Sequence, residues 1–405
     1  MANLNVPYQE GHDFGIGVDS VTGDAHQKGI VGEISTVEGA GGGSGSFKLI
    51  KINNTSDLET HLGISADLSI GVGLFSASAR FNYAKDSKVH SESINLLITC
   101  TKEFGFRQID KPMLDAEAAE LVANGNVGLF AERYGDYFVR GLRSGGQFFG
   151  TIRIETSTKE DREKVEASLS ASYGLFASAD VKTDFSETIK NTKSQTTVQL
   201  YYEGGDVQIK PQTVADLITA SNQWSESVEN KPKPYSVQLV PWTIANGPQP
   251  PNKADLEHQK DVLLRCAKLR STCIDKLNVL DYILDFRHQT EYNLPPEKLK
   301  ELQDMNARCQ VEMDIIAKAA SYAINHAADA MEPVTYAITK LNIPNFELAF
   351  FEIPPNVNGF KEPPKKADLS AAPENSDLSK FNNERMAKMS FKNNLSETML
   401  KRKLK

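Results

Sequence analysis

Two stretches of the chain alternate between apolar and small polar residues, one near residue 70 and one near residue 175. In the first, Ala66, Leu68, Ile70, Val72 and Leu74 alternate with Asp67, Ser69, Gly71 and Gly73. A period of two marks a strand with one apolar face. After Leu74 the phase shifts, so that Ala77, Ala79, Phe81 and Tyr83 are set against Ser76, Ser78, Arg80 and Asn82. In the second, Leu169, Ala171, Tyr173, Leu175, Ala177, Ala179 and Val181 share one parity, opposite Ser168, Ser170, Ser172, Gly174, Ser178 and Asp180; Phe176 breaks the rule. The two align directly, LSIGVGLFSAS at 68–78 on LSASYGLFASA at 169–179. Alternation alone describes any half-buried strand. The recurrence and the preponderance of Ser, Ala and Gly favour segments that pack as short helices and can later extend. The charged, helix-favouring run TKEDREKVEA at 158–167 supports that helical alternative.

The surrounding elements follow a regular order. Residues 28–52 read as a strand interrupted by the glycine run at 39–45, and 91–104 as a second strand containing Cys100. Residues 112–124 read as a short helix, with Leu114, Ala118 and Leu121 at helical spacing, ended by an Asn-Gly-Asn turn. Residues 147–156 and 196–202 give a third and a fourth strand, and 214–228 a helix. The segments at 53–90 and 157–194, each 38 residues long, are thus inserts between consecutive strands. Farther on, Cys266, Leu269, Cys273, Leu277, Leu280 and Leu284 step by three and four along 253–286. Leu294-Pro-Pro breaks this helix, and Leu302, Met305, Cys309, Met313 and Ile316 form the stripe of a second over 296–331, giving an antiparallel helical hairpin. A short apolar strand is expected at 346–351, then a Pro-, Asn-, Lys- and Ser-rich tail.

Between the first helix and the third strand lies YGDYFVRGLRSGGQFFG, residues 134–150. Adjacent glycines before a strand give exceptional backbone freedom and mark a sharp bend or a close approach. The spacing resembles the signature of the membrane-attack-complex/perforin (MACPF) family, aromatic–Gly–Thr/Ser–His–aromatic, six residues, Gly-Gly. Here Tyr134, Gly135, Phe138, Gly145 and Gly146 match, while Asp136 stands at the Thr/Ser position and Tyr137 at the His position. FGIGVDSVTG at 14–23 resembles the GxGxDxxTG opening of perforin-like chains, and PKPYSVQLVPW at 232–242 resembles the close of the family domain. With the order of strands and inserts, the resemblance to the MACPF/cholesterol-dependent-cytolysin superfamily covers about residues 12–245.

That resemblance implies an α+β fold: a bent, twisted four-stranded antiparallel sheet flanked by two helical clusters, the future transmembrane hairpins; the C-terminal helical hairpin lies outside it and rests on the periodicity alone. The expected domains are 1–247, 252–345 and 346–405. It implies a pore-forming protein that assembles into a ring of copies of itself on a target-cell lipid membrane. An open strand edge leaves backbone groups unpaired in hydrocarbon, so the hairpins must close into a barrel. Crossing takes about 9–11 tilted residues per strand, which each insert can supply twice. The residues expected to face lipid are Leu68, Ile70, Val72, Leu74 and Phe81 in the first insert, and Leu169, Ala171, Tyr173, Leu175 and Val181 in the second. Gly145 and Gly146 would act as the hinge. A protein or lipid receptor engaged through the C-terminal region is a further expected partner. Fold does not fix function, and the Asp136 and Tyr137 departures leave room for a non-lytic membrane- or partner-binding scaffold on the same fold.

Composition narrows the remaining classes. A net charge of −8 argues against a broad nucleic-acid surface. No run approaches 18 apolar residues, so no preformed transmembrane helix is encoded. The N-terminal MANLNVPYQEGHDFG lacks a basic n-region and an apolar h-region, so no standard signal peptide is expected and a chain soluble when made would leave its cell by another route. Four cysteines do not make a disulfide framework. Cys266 and Cys273 stand about 10 Å apart by helical rise, too far to bridge. The scattered histidines form no HExxH and no GxSxG occurs, so no enzyme chemistry, metal or cofactor is expected. From residue 360 onward eleven Lys/Arg stand against six Asp/Glu. That is either a solvated tail or a weak tether to anionic lipid, worth about 1 kcal/mol per basic residue near the surface.

Overall fold

The computed structural model describes residues 3–37, 45–64, 79–156, 158–172, 187–192, 194–247, 253–285, 292 and 294–348. The strands are β1 (Leu4–Pro7), β2 (Ile16–Val18), β3 (Ala25–Lys28), β4 (Ile30–Thr36), β5 (Gly45–Ile52), β6 (Ile94–Leu114), β7 (Tyr137–Glu155), β8 (Gln195–Glu203) and β9 (Lys233–Pro241). They join in one open antiparallel sheet whose spine is the β6–β7 pair. At 21 and 19 residues these two strands far exceed the common five or six. They do so because each serves two sets of neighbours.

The lower half of β7 pairs β8, from Glu155↔Gln195 to Gln147↔Glu203. Its upper half pairs β9, from Gly145↔Lys233 to Tyr137↔Pro241. β6 changes partner at the same level, from β5 (Ile52↔Asn95 to Gly45↔Lys102) to β4 (Thr36↔Arg107 to Ile30↔Leu114). The strands β5–β6–β7–β8 are thus the expected four-stranded antiparallel unit. At the level of the switch β6 carries a bulge between Glu103 and Gly105, a feature that bends and twists its strand.

Several boundaries depart from the sequence expectation. The second strand runs on to Leu114 rather than ending at 104, because beyond the bulge it pairs β4. The third strand begins at Tyr137 rather than at 147, because the signature itself pairs with β9. The helix expected from 112 starts as α3 (Ala116–Ala123): Met113 is held in the ladder opposite Val31, and the Asp115 side chain caps the helix by accepting from the Ala118 N–H at 2.7 Å. The second hairpin helix stops at Asn325 rather than at 331, because His326 leaves helical geometry (φ −141°, ψ 68°). Residues 346–348 form no strand, and the rest of that expectation lies outside the described residues.

Alternation along the sheet sorts its two faces. In the lower half, Leu96, Ile98, Phe148, Ile152 and Ile154 point to a core shared with α5 (Lys159–Ser172) and α6 (Val214–Ser227). Leu97 and Phe149, one residue out of phase, point to a core shared with α1 (Thr55–His61) and α2 (Ala79–Asp86). The helical parts of the two inserts therefore lie on opposite faces of the same four strands. Two long helices, α7 (Lys253–Leu284) and α8 (Pro296–Asn325), pack along the predicted stripes through Val262, Cys266, Cys273, Ile316 and Ala319. Cys100, Cys266, Cys273 and Cys309 are free and buried.

The partner switch depends on two glycines. Gly145 has φ +143°, and a Cβ there would lie 2.0 Å from the Lys102 carbonyl oxygen. A Cβ on Gly146 would lie 2.3 Å from the Glu203 carbonyl oxygen and 3.0 Å from Trp224 Cζ2. These are backbone collisions with the strands on either side, so relief requires parting the ladder. Gly146→Ala should therefore cost about 1–3 kcal/mol and lower the unfolding midpoint. Gly128→Ala, in the first turn of α4 (Val127–Tyr134) with nothing within 4 Å, should leave stability unchanged or raise it by up to about 1 kcal/mol, with the midpoint held or raised. Calorimetry on the two variants checks both signs.

Candidate functional site

The three motifs singled out in the sequence meet at the top of β7. Gly17 of β2 pairs with Phe138, and Val18 bridges Gly135. The Asp136 carboxylate, half-buried beside them, accepts the Ser20 backbone N–H at 2.6 Å and the Ser20 hydroxyl. Burial pushes this carboxyl up, and the two Ser20 bonds oppose that shift. The aspartate that departs from the family spacing thus ties the 14–23 turn to the signature. Trp242, from the closing motif, packs against Phe130 and Phe138 at 5.1 Å and Tyr134 at 5.9 Å between ring centres. Tyr137 is buried, and burial with the neighbouring Asp136 pushes its phenol up to about 12. Tyr134, Gly135 and Phe138 are therefore a structural junction, closed to solvent.

A second cluster crosses the sheet at the Gly145–Gly146 level. The Trp224 indole donates to the Gly204 carbonyl at 3.0 Å and packs on Phe148. Lys102 reaches the Ser225 carbonyl at 3.0 Å and pairs with Glu229. Glu103 takes Arg143 at 2.7 Å and the Tyr235 hydroxyl at 2.9 Å. The helix α6, started by a Thr213–Asp216 capping box, is thereby pinned across the switch. Sequence reasoning missed these contacts. Only Trp224, a tryptophan on an amphipathic helix, carried a signal.

The inserts are held by a mixture of apolar and charged contacts. Arg80, only 5% exposed, makes a bidentate pair with Glu203 (2.9 and 2.5 Å) and donates to the Leu62 and Tyr235 carbonyls. Tyr83 donates to the Phe149 carbonyl at 3.1 Å, and Phe81 is half-buried against the same core. Residues 79–86 are helical here, so the alternation there is expressed as helix packing and not as strand. Across the sheet, Leu169 on α5 is buried with Val165, and Glu166 pairs with Lys51 at 3.1 Å. Ala171 lies in α5. Leu68, Ile70, Val72, Leu74, Tyr173, Leu175 and Val181 lie outside the described residues.

The helix α7 crosses the first insert. Asp275 accepts the Thr55 N–H at 2.8 Å, at the start of α1. Glu59, 2% exposed, takes Arg270 at 3.0 Å and the Ser271 hydroxyl at 2.7 Å. The Arg270 guanidinium also lies 4.3 Å from the Phe81 ring centre. Farther along, Asn278 donates to the Val89 carbonyl at 2.9 Å, and Tyr292 donates to Glu92 at 2.8 Å. Partners so distant in the chain gave no sequence signal. Among the described residues no group of acidic, Cys and His side chains could hold a metal ion.

The sequence model of the MAC/Perforin domain family matches residues 42–260, from the approach to β5 into α7. No curated protein matches the chain. Among solved structures it is similar to stonustoxin, at 15% identity over 84% of this chain and 44% of that one (TM-score 0.46). It is similar also to GNIP1Aa from Chromobacterium piscinae, at 15% identity over 65% and 56% (0.37), and to pneumolysin, at 13% over 51% and 41% (0.30). The chain spans less than two thirds of each of these.

Burial pushes the Asp275 carboxyl up to about 6; Glu59 and Asp57 add to the shift, and the Thr55 bond opposes it. A carboxyl raised on folding adds stability that is complete below its unfolded value and lost as pH rises through the folded one. That window here runs from about pH 4 to about pH 6 and is worth about 2–3 kcal/mol. Asp275→Asn keeps the acceptor for Thr55 and removes the charge. It should unfold at a higher temperature than the parent at pH 7.5, with the gap closing toward pH 4 in thermal melts.

Proposed function

The chain belongs to the MAC/Perforin domain family, and we propose that it is a pore-forming protein. It is made without membrane attachment, gathers into a ring on a target lipid membrane, and inserts two amphipathic β-hairpins per subunit into a shared barrel. The observation that carries this reading is the placement of the two repeated inserts. One joins β5 to β6 and the other joins β7 to β8, both of them adjacent antiparallel pairs. Extension of each insert would prolong an existing pair in its existing register, so no new pairing has to be found. Hydrocarbon tolerates no open edge, so the outer edges of the prolonged hairpins must be closed by other copies. Among the described residues no helix is long and apolar enough to cross a membrane.

In the inserted state Leu68, Ile70, Val72, Leu74 and Phe81, with Leu169, Ala171, Tyr173, Leu175 and Val181, face lipid, and the intervening Ser and Gly face the lumen. The target membrane carries the lipid or protein receptor, engaged through the C-terminal region. A second reading is a non-lytic membrane- or partner-binding scaffold. It is favoured by the low bulk of the second insert, where Ala171, Ala177 and Ala179 occupy the apolar parity.

Dye release from liposomes of graded composition, with the same membranes imaged, separates the two. The pore reading expects leakage together with ring-shaped assemblies, and binding without either contradicts it. A charge at mid-bilayer on the lipid face of a barrel costs about 2–4 kcal/mol at most. Val72→Lys should therefore cut leakage at least tenfold with binding retained, while Ser69→Lys, on the lumen parity, should leave leakage within a few-fold of the parent.

A further inference from the structure

Several contacts between α7 and the first insert join groups that the proposed insertion would have to separate. Thr55 and Glu59 sit on α1, immediately after β5, in the segment that must become strand. Asp275, Arg270 and Ser271 sit on a helix of the C-terminal hairpin, which contributes no strand to the sheet. A contact made in one state and necessarily absent in the other places its whole free energy in the first, and so sets the balance between them.

The chemistry of the contact makes it cooperative. Glu59 is bound through both oxygens, one to Arg270 and one to Ser271, and Arg270 also faces the Phe81 ring. Removing one member of such a buried set breaks a charged contact inside the protein, whereas opening the set as a unit returns its charges to water. The contact therefore resists partial loosening and yields all at once. A purely apolar seam would adhere as well but would open gradually.

We propose that α7 is an autoinhibitory clasp on the first insert: residues 53–90 extend only after the Glu59–Arg270–Ser271 set and the Asp275–Thr55 bond have opened together. The proposal rests on the pore-forming reading and makes the C-terminal hairpin the element that holds the chain in its uninserted state. A membrane or receptor contact that displaces α7 would then serve as the trigger.

The test is a reversible lock, the double variant Thr55→Cys/Asp275→Cys, which places thiols where a side chain of α7 already reaches the α1 backbone. Burial pushes the native thiols of Cys100, Cys266 and Cys273 up to about 12, so mild oxidation addresses the engineered pair. On phosphatidylcholine–phosphatidylserine–cholesterol vesicles the oxidised variant should bind like the parent and leak at least tenfold more slowly, with dithiothreitol restoring leakage. Leakage of the oxidised form at the parental rate overturns the clasp. If the parent and the reduced variant both fail to leak, the pore reading has failed instead. The clasp is then decided in solution, as it is if the pair does not oxidise, by amide exchange on the full chain carrying Ser271→Ala. Exchange at residues 55–62 should quicken at least tenfold while 160–169 on α5 stay unchanged. Equal exchange at 55–62 in parent and variant overturns the clasp independently of lysis.

Discussion

One strand has to satisfy two sets of hydrogen-bonding partners, and most of this structure follows from that constraint. β7 meets β9 along its upper half and β8 along its lower half, and β6 changes from β4 to β5 at the same level. Every backbone group in a sheet needs a partner, so a change of neighbour is possible only where the outgoing and incoming strands can both come close. Gly145 and Gly146 provide that closeness against Lys102 and Glu203. The helix α6 then covers the junction, with Trp224 bonded to Gly204 and packed on Phe148.

Below the junction the sheet is flanked on both faces by material that its own strands could absorb. α1 and α2 lean on Leu97 and Phe149, and α5 leans on Ile152 and Ile154. Apolar burial gives these segments a reason to stay folded, but the contacts that select one arrangement are the buried polar ones. Arg80 with Glu203, and Glu59 with Arg270 and Ser271, are satisfied only when the inserts are helical and in place. A buried charged set costs much when it is incomplete, so it holds one arrangement until it opens as a unit. Such sets would suit the proposed insertion, in which a chain stable in one arrangement has to leave it.

Much of this was legible in the sequence because it is written in local periodicity. The 134–146 spacing located the junction, the period-two runs located the inserts, and the stripes of Leu and Cys located α7 and α8. What was not legible depends on partners distant in the chain. The signature residues Tyr137 and Phe138 stood ahead of the strand expected at 147–156, but pairing with β9 makes them its beginning. Arg80 sat on the polar parity, yet it is buried against the far-off Glu203. Asp136 read as a departure from a family pattern, and its purpose became visible only when Ser20 was found against it. Local rules describe the faces of an element, and only the fold decides which face meets which.

The central claim is that the first insert exchanges helix packing for a strand that lies between lipid and water. The most direct measurement places single cysteines at successive positions from 68 to 75 and labels each with an environment-sensitive dye, read before and after addition of liposomes. The account predicts that emission rises and shifts to the blue at positions 68, 70, 72 and 74 on membranes, and stays at its aqueous value at 69, 71 and 73. A change that repeats every three or four positions, or none at any position on membranes the protein has bound, would contradict it.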